Sequence, residues 1–187
     1  MFNGCALETL DGLTAKIVGL GERCFANNSS LTDISELTET SVTDLPVGCF
    51  QNCAIQSLIG CWKITSIGAY SFAGCSSLIA TSGLGPDIAS IGDYAFQNCT
   101  GLKHVSCIAT SVPTIASTSF SGSSASNIPL YVREEMVDEF SAADTWRNFS
   151  RTTSRTIKVH LQNIGGTDTG DVNIDASSVA KAGVRVS

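Results

Sequence analysis

Charged residues are scarce in this chain, and basic residues are the scarcer kind. Only 15% of the 187 residues are charged, and 11 Lys and Arg face 17 Asp and Glu, for a net charge of −6. A surface that follows nucleic-acid phosphates needs the opposite sign. The sequence also has no run of 18 apolar residues, the length that a membrane-spanning helix requires. We therefore predict neither a nucleic-acid partner nor membrane insertion by this segment.

Catalytic and cofactor motifs are missing as well. The two histidines, His104 and His160, lie far apart, and neither accompanies a nucleophile motif. No nucleophile elbow, zinc-protease motif, phosphate-binding loop or haem attachment motif occurs. The sequence predicts no enzyme, no catalytic residue, no metal site and no cofactor. The first residues, MFNGCALETL, also lack the basic segment and apolar run of a signal peptide.

Aromatic residues are few, at 7%, but the phenylalanines are regularly spaced. Most of the chain repeats one pattern, seen best in ITSIGAYSFAGCSSL (64–78) and IASIGDYAFQNCTGL (88–102). In every full copy an aliphatic residue lies eight and again five positions before the phenylalanine, and a small residue, usually Cys, lies three after it. The repeated phenylalanines are Phe2, Phe25, Phe50, Phe72, Phe96 and Phe120.

A period of 22–25 residues predicts a solenoid of about five to six coils, because one copy cannot bury its apolar side alone. The segment after the Cys, as in LKHVSC (102–107), predicts a short strand with Val105 and Cys107 inward, and such strands would pair in parallel. The segment before the Phe predicts a second extended piece on the opposite side, ended by a turn glycine. The stretch around the Phe predicts a helical turn.

The pattern xIxxIGxxAFxxCxxL resembles the BspA-like leucine-rich repeats of bacterial surface proteins, which some parasitic protists also have. The resemblance covers about residues 1–149. It implies a curved leucine-rich-repeat solenoid at the cell surface or outside the cell, used for adhesion or recognition. Two copies depart from the pattern, since Asn28 and Ser123 replace the Cys.

The chain divides by composition near residue 149. Residues 128–149 predict a strand and then one amphipathic helix, with the apolar stripe Val137, Phe140, Ala143, Trp146 and Phe149. We interpret them as a cap over the last coil, and a partner-binding helix is the alternative. Residues 150–187 predict a polar linker and the start of a truncated second module. Because the sequence begins in mid-repeat, it is also predicted to be a fragment.

Eight cysteines leave several chemistries open. Cys5, Cys53, Cys75 and Cys99 occupy the position three after Phe, Cys24 and Cys49 the small position just before Phe, and Cys107 an inward strand position. Seven of the eight thus lie where a small buried side chain is expected. Buried thiols are the preferred interpretation, because adjacent rungs about 4.8 Å apart exceed the Cβ spacing of a disulfide. Disulfides and a metal site are the alternatives. In the tail, GDVNIDASSVAKA resembles half of a calcium loop but lacks its bidentate carboxylate, so a solvated turn is preferred.

The predicted function depends on the outer positions of the strands that follow the Cys. In leucine-rich-repeat families the concave strip is the usual recognition surface, so we predict a non-enzymatic module that binds protein or glycan on a host or neighbouring cell. An ordinary solvated sheet face, and a structural spacer that displays another domain, are the alternatives. The predicted ligand-binding residues are Thr9, Asp11, Asp33, Ser35, Ser57, Ile59, Ala80, Ser82, His104 and Ser106.

Overall fold

A stack of phenylalanine rings forms the spine of the fold. The computed structural model describes residues 2–12 and 16–154, together with the backbone of 158–159 and 172–173. The six repeated phenylalanines stack ring on ring, with centroids 5.0–5.8 Å apart and nearly parallel planes. Phe50, Phe72 and Phe96 are completely buried. The chain is therefore a repeat solenoid in which each coil adds one ring to a continuous core.

A four-stranded parallel sheet lies on the side that leads into each phenylalanine. It consists of β1 (Asp44–Leu45), β2 (Ser66–Ile67), β3 (Ser90–Ile91) and β5 (Thr114–Ile115). The strands are in register, with Leu45, Ile67, Ile91 and Ile115 aligned across it. The prediction placed the main sheet on the other side, after the Cys, and that placement was wrong for most coils.

The side after the Cys forms strands only toward the end of the array. There β4 (Val105–Cys107), β6 (Leu130–Val132) and β7 (Thr152–Ser154) pair in parallel. In earlier coils the same side contains a 3-10 helix (Ser35–Glu39) and two left-handed glycines, Gly60 and Gly83, at φ +105° and +116°. These conformations interrupt a ladder that needs extended backbone. The inward positions Val105 and Cys107 are buried, as predicted.

Successive tight turns, rather than the predicted helical turn, carry each phenylalanine into the core. The residue two after Phe is left-handed in every coil, and Asn or Gly fills it because those residues tolerate positive φ best. Within each coil pair, the Phe amide donates to the carbonyl of the residue just before the next Phe, as in Phe50 to Ser71 at 2.8 Å. The left-handed residues are Gly4, Asn27, Asn52, Gly74, Asn98 and Gly122.

The residue three after Phe is a hydrogen-bond donor as well as a small core residue. The thiol of Cys75 donates to the carbonyl of Phe50 at 3.2 Å, one coil earlier. Cys53 and Cys99 repeat this contact with the preceding Phe at 3.1 Å. Asn28 and Ser123, which replace the Cys in two coils, make the same contact. The Asn28 side-chain amide donates to the Phe2 carbonyl, and the Ser123 hydroxyl donates to the Phe96 carbonyl. The sequence pattern had indicated only a small apolar side chain here.

The glycine at the end of the pre-Phe strand allows coils to approach closely. Gly68 and Gly92 begin the turns that lead to the Phe, as predicted, because the Ser71 amide donates to the Gly68 carbonyl and the Ala95 amide to the Gly92 carbonyl, both at 3.3 Å. Neither glycine has positive φ, so the reason for glycine lies in the neighbouring coil. A Cβ on Gly68 would lie 2.8 Å from the Leu45 carbonyl oxygen, and one on Gly92 would lie 2.8 Å from the Ala69 nitrogen. Real Cβ atoms essentially never come that near, so a side chain would push adjacent coils apart.

The end of the array is covered by short helical turns. A 3-10 turn (Glu134–Met136), α1 (Val137–Ala142) and a second 3-10 turn (Trp146–Asn148) replace the predicted single helix. The helix ends because Ala143 is extended. Trp146 is 1% exposed, its indole N–H donates to the Pro113 carbonyl at 2.7 Å, and Phe149 packs edge-on against Phe120. This segment caps the ring stack.

The parallel pairing extends slightly past residue 149, since β7 begins at Thr152. The division of the chain at residue 149 stays a prediction. Further on, β8 (Lys158–Val159) and β9 (Val172–Asn173) pair antiparallel. His160 and most of the calcium-like segment, including Asp171 and Asp175, lie outside the described residues.

Candidate functional site

The ten predicted binding residues share one solvent-facing side of the coils, which we call the site face. The residues between them, Leu10, Ile34, Leu58, Thr81 and Val105, are all buried, at 4% exposure or less. None of the ten predicted residues is buried. Their side chains are therefore available to a partner, and their binding role stays a prediction.

In the first two coils the site face is occupied by local polar pairs. The Thr9 hydroxyl donates to Asp11 at 2.9 Å. The amide and the hydroxyl of Ser35 both donate to the Asp33 carboxylate, at 2.9 and 3.0 Å. These bonds stay within one coil, so the first part of the site face is acidic and internally hydrogen-bonded.

Two isoleucines are exposed in the middle coils, Ile59 on the site face and Ile79 in the next coil. Ile59 is 59% exposed, and Ile79, immediately before Ala80, is 55% exposed. They are two of the four large apolar side chains that remain exposed among the described residues. Isolated exposed isoleucines are ordinary, but Ile59 adds apolar contact area to the site face where a partner would bind.

The later coils join their site-face residues across coil boundaries. Ala80 and His104 form a parallel bridge, and the hydroxyls of Ser82 and Ser106 lie 3.4 Å apart. The His104 ring lies edge-on to Tyr131 with centroids 5.3 Å apart. Ser106 is also in register with Tyr131 in the sheet. These residues form a compact group with aromatic and hydroxyl character.

Thr81 fixes the backbone of Ser106 in this part of the site face by two hydrogen bonds. Its side chain is buried at an inward position that other coils fill with an aliphatic residue. The Ser106 amide donates to the Thr81 hydroxyl at 2.9 Å, and that hydroxyl donates to the Ser106 carbonyl at 2.8 Å. The threonine side chain thus replaces a backbone partner for Ser106. A buried hydroxyl needs such bonds, and here both are made.

Two site-face residues were missed by sequence reasoning. Tyr131 and Thr153 continue the row of Ser106 through the register of β4, β6 and β7, and both are half-buried. The alternation in LYV could have indicated Tyr131 as outward-facing. Nothing in the sequence pairs Thr153 with it, because that contact depends on the chain returning after the cap.

A shallow groove of about 530 Å³ lies on the opposite, four-stranded sheet. Its lining combines small residues, among them Ser66, Gly68 and Ser90, with the isoleucines of β2, β3 and β5. At its edge Asp44 accepts hydrogen bonds from Ser66, Thr43 and Thr65, which lower the pKa of its carboxyl. The sequence analysis did not predict this groove.

No disulfide joins the eight cysteines, which all lie in the described residues, and seven of them are buried. Cys5 is exposed, contrary to its predicted buried position, because a coil packs on only one side of it. Cys61, outside the repeat positions, is fully buried instead. Burial raises the pKa of Cys53 to about 11 and that of Cys61 and Cys99 to about 12. Such thiols are poor nucleophiles at neutral pH.

The described residues were also searched for a metal-binding group and for a membrane-spanning helix. Within residues 2–12 and 16–154, no group of three or more His, Cys, Asp or Glu is placed to hold a metal ion. No helix in this part of the chain has the length and apolarity to cross a membrane.

Comparison with known proteins gives a family. A profile described as BspA type leucine-rich repeat region matches residues 1–79 and 81–168 in six copies. Searches of curated proteins and of solved structures found no match. The matched residues include every repeat described above and extend beyond residue 149. The chain therefore belongs to the BspA-type leucine-rich repeat family, whose repeats form non-enzymatic modules of the protein-interaction or adhesion type.

Proposed function

We propose that this chain is a recognition or adhesion module of a surface or secreted protein, and that it binds its partner through the site face. The observation that supports this most is the joined group of Ser82, His104, Ser106 and Tyr131 on the face that also exposes Ile59. Aromatic and apolar side chains surrounded by small polar ones are the usual composition of a binding hot spot.

A protein partner fits this face better than a glycan. Ile59 offers apolar surface that a polysaccharide would leave unmatched, whereas a protein can bury it. The described part of the site face has few charges, and Asp11 and Asp33 at one end favour a partner with basic residues at the corresponding end. The partner would lie on a host or neighbouring cell, and binding to a glycan instead is an outcome that the test distinguishes.

The test places a bulky charge in the centre of the site face. Ser106→Arg and Ser82→Arg should abolish binding in a screen of immobilised extracellular-matrix proteins, serum proteins and a glycan array. Ser90→Arg is the matched control, because Ser90 is a half-buried serine at an outward strand position on the opposite sheet. All three variants should keep the unfolding midpoint of the wild type.

The wild-type chain first identifies a ligand in that screen, and the variants are then measured against it. Retention of binding by both site-face variants, or its loss only in Ser90→Arg, would place the binding surface elsewhere. A hit confined to the glycan array would overturn the protein preference while leaving the site face intact.

A structural spacer is the second candidate, and the uninterrupted ring stack from Phe2 to Phe120 favours it. A stack of this kind resists bending because the amide of each Phe from Phe2 to Phe96 donates to the carbonyl just before the Phe of the next coil. If the chain is a spacer, no ligand will appear in the screen, and deletion of one whole coil will leave the function of the parent protein intact.

A further inference from the structure

Two cysteines from adjacent coils are in contact in the N-terminal half of the array. The Sγ atoms of Cys24 and Cys49 lie 3.5 Å apart, and both residues immediately precede a phenylalanine of the ring stack. The backbones are tied at the same point, because the Phe25 amide donates to the Cys49 carbonyl at 3.0 Å. Later coils carry Ser71, Ala95 and Ser119 at this position.

We propose that Cys24 and Cys49 form a redox-active pair that closes to an intercoil disulfide when it meets a two-electron oxidant of the low-molecular-weight disulfide class. At this pair the sulfurs of two adjacent coils are already in contact, so a covalent link between the coils needs little movement of the backbone. The proposal is independent of any ligand on the site face, since neither cysteine belongs to it.

The geometry needs only a small adjustment. Parallel rungs about 4.8 Å apart fall within the Cα separations that disulfides span, about 4.4–6.8 Å. The sulfurs must approach from 3.5 Å to about 2.05 Å, which rotation about the side-chain torsions and a slight closing of the Cβ atoms can supply. Cys53, Cys75 and Cys99 are unsuited to this because their thiols are directed at phenylalanine carbonyls.

The exposure and the pKa of the two thiols determine which of them reacts first with the oxidant. Cys24 is 9% exposed and Cys49 is not exposed at all, so an oxidant in solution reaches Cys24 first. The hydrogen bond from Cys49 lowers the pKa of Cys24, whereas that same contact and burial raise the pKa of Cys49. Cys24 is therefore the attacking thiolate and Cys49 the resolving thiol.

The reaction balances in two exchanges. The Cys24 thiolate attacks one sulfur of the small disulfide RSSR, so that a Cys24–SR mixed disulfide forms and RS⁻ leaves. Cys49 then loses its proton and attacks the Cys24 sulfur, so that the Cys24–Cys49 bond forms and RSH leaves. The two protein thiols are oxidised, and RSSR is reduced to two equivalents of thiol.

The experiment uses the full chain, reduced and then exposed under native conditions to oxidised glutathione. Two of the eight thiols should disappear from a titration made after denaturation. Trypsin alone leaves Cys24 and Cys49 in one peptide, 24–63, because no Lys or Arg lies between them. Further cleavage after Glu36 and Glu39 separates 24–36 from 40–63, so a disulfide-linked pair of these peptides, located by fragmentation, reports the bond.

Serine variants provide the controls, and they should fold because Ser71 and Ser119 occupy the same repeat position. The linked peptides should be absent from Cys24→Ser and Cys49→Ser and present in Cys107→Ser, whose thiol lies several coils away. In the oxidised wild type the urea midpoint should rise, and dithiothreitol should reverse the rise. The proposal is overturned if all eight thiols survive oxidation, if the link persists in Cys49→Ser, or if Cys24 accumulates only as a glutathione adduct.

Discussion

Truncation of a ring in the middle of the stack should weaken the whole array far more than truncation at its end. Phe72 is completely buried, and its ring is stacked on Phe50 at 5.6 Å and on Phe96 at 5.4 Å. Phe2 is 52% exposed and stacks on Phe25 alone, at 5.8 Å. The two residues occupy the same repeat position, so their difference isolates the contribution of the stack.

The magnitude follows from these contacts. Phe72→Ala removes a fully buried ring together with its two stacked contacts and leaves a cavity, which in total costs about 3–5 kcal/mol. Phe2→Ala removes a half-buried ring with one stacked neighbour, and we expect it to cost roughly 1–2 kcal/mol. The free energy of unfolding should thus fall about 3 kcal/mol further in Phe72→Ala.

Equilibrium unfolding in urea, followed by far-UV circular dichroism and by tryptophan fluorescence, measures both losses. Trp62 and Trp146 lie in different parts of the array, so their emission also shows whether the coils unfold together. Equal losses in the two variants, or a loss below about 1 kcal/mol in Phe72→Ala, would refute the idea that the ring stack is the spine of the fold.

Three further predictions concern stability. Gly68→Ala should cost about 1–3 kcal/mol because its Cβ would meet the Leu45 carbonyl, whereas Gly21→Ala, with nothing within 4 Å, should be nearly neutral, and equal urea midpoints would contradict this. Trp146→Phe should cost about 1–3 kcal/mol by leaving the buried Pro113 carbonyl without its N–H donor, which thermal unfolding would measure against an unaffected Trp62→Phe. The pKa of Cys61 rises from 9.0 to about 12 on folding, so the stability that its neutral thiol contributes is fully present below pH 9 and is lost toward pH 12, by about 1.4 kcal/mol per pH unit. Cys61→Ala should therefore flatten the fall in urea midpoint between pH 9 and 11, and an unchanged slope would argue against a buried neutral thiol.

The repeated core was predictable because it depends on spacing within one coil. The phenylalanines and the aliphatic residues before them recur at fixed offsets, and the structure buries them together. The cap was predictable for the same reason, since Phe140, Trp146 and Phe149 are large apolar residues that had to be buried somewhere.

Features that depend on the neighbouring coil were not predictable from one copy of the repeat. The clash that excludes a side chain at Gly68 comes from Leu45, 23 positions earlier, and the carbonyl that selects a donor at Cys75 belongs to Phe50. The missing strands on the site face reflect left-handed backbone at Gly60 and Gly83, which a local pattern of aliphatic residues does not reveal. In the candidate site, the outward positions could be predicted from the sequence. The contacts that join Ser82, Ser106 and Tyr131 could not.

The donor three positions after each phenylalanine has a consequence for how such arrays can change in evolution. The position accepts a thiol in Cys75, a hydroxyl in Ser123 and an amide in Asn28, since each can supply one hydrogen to the carbonyl of the coil below. A coil can therefore exchange sulfur for oxygen or nitrogen by itself, while its neighbours keep their own donors. An array built on this rule can replace its buried thiols one coil at a time and keep its register throughout.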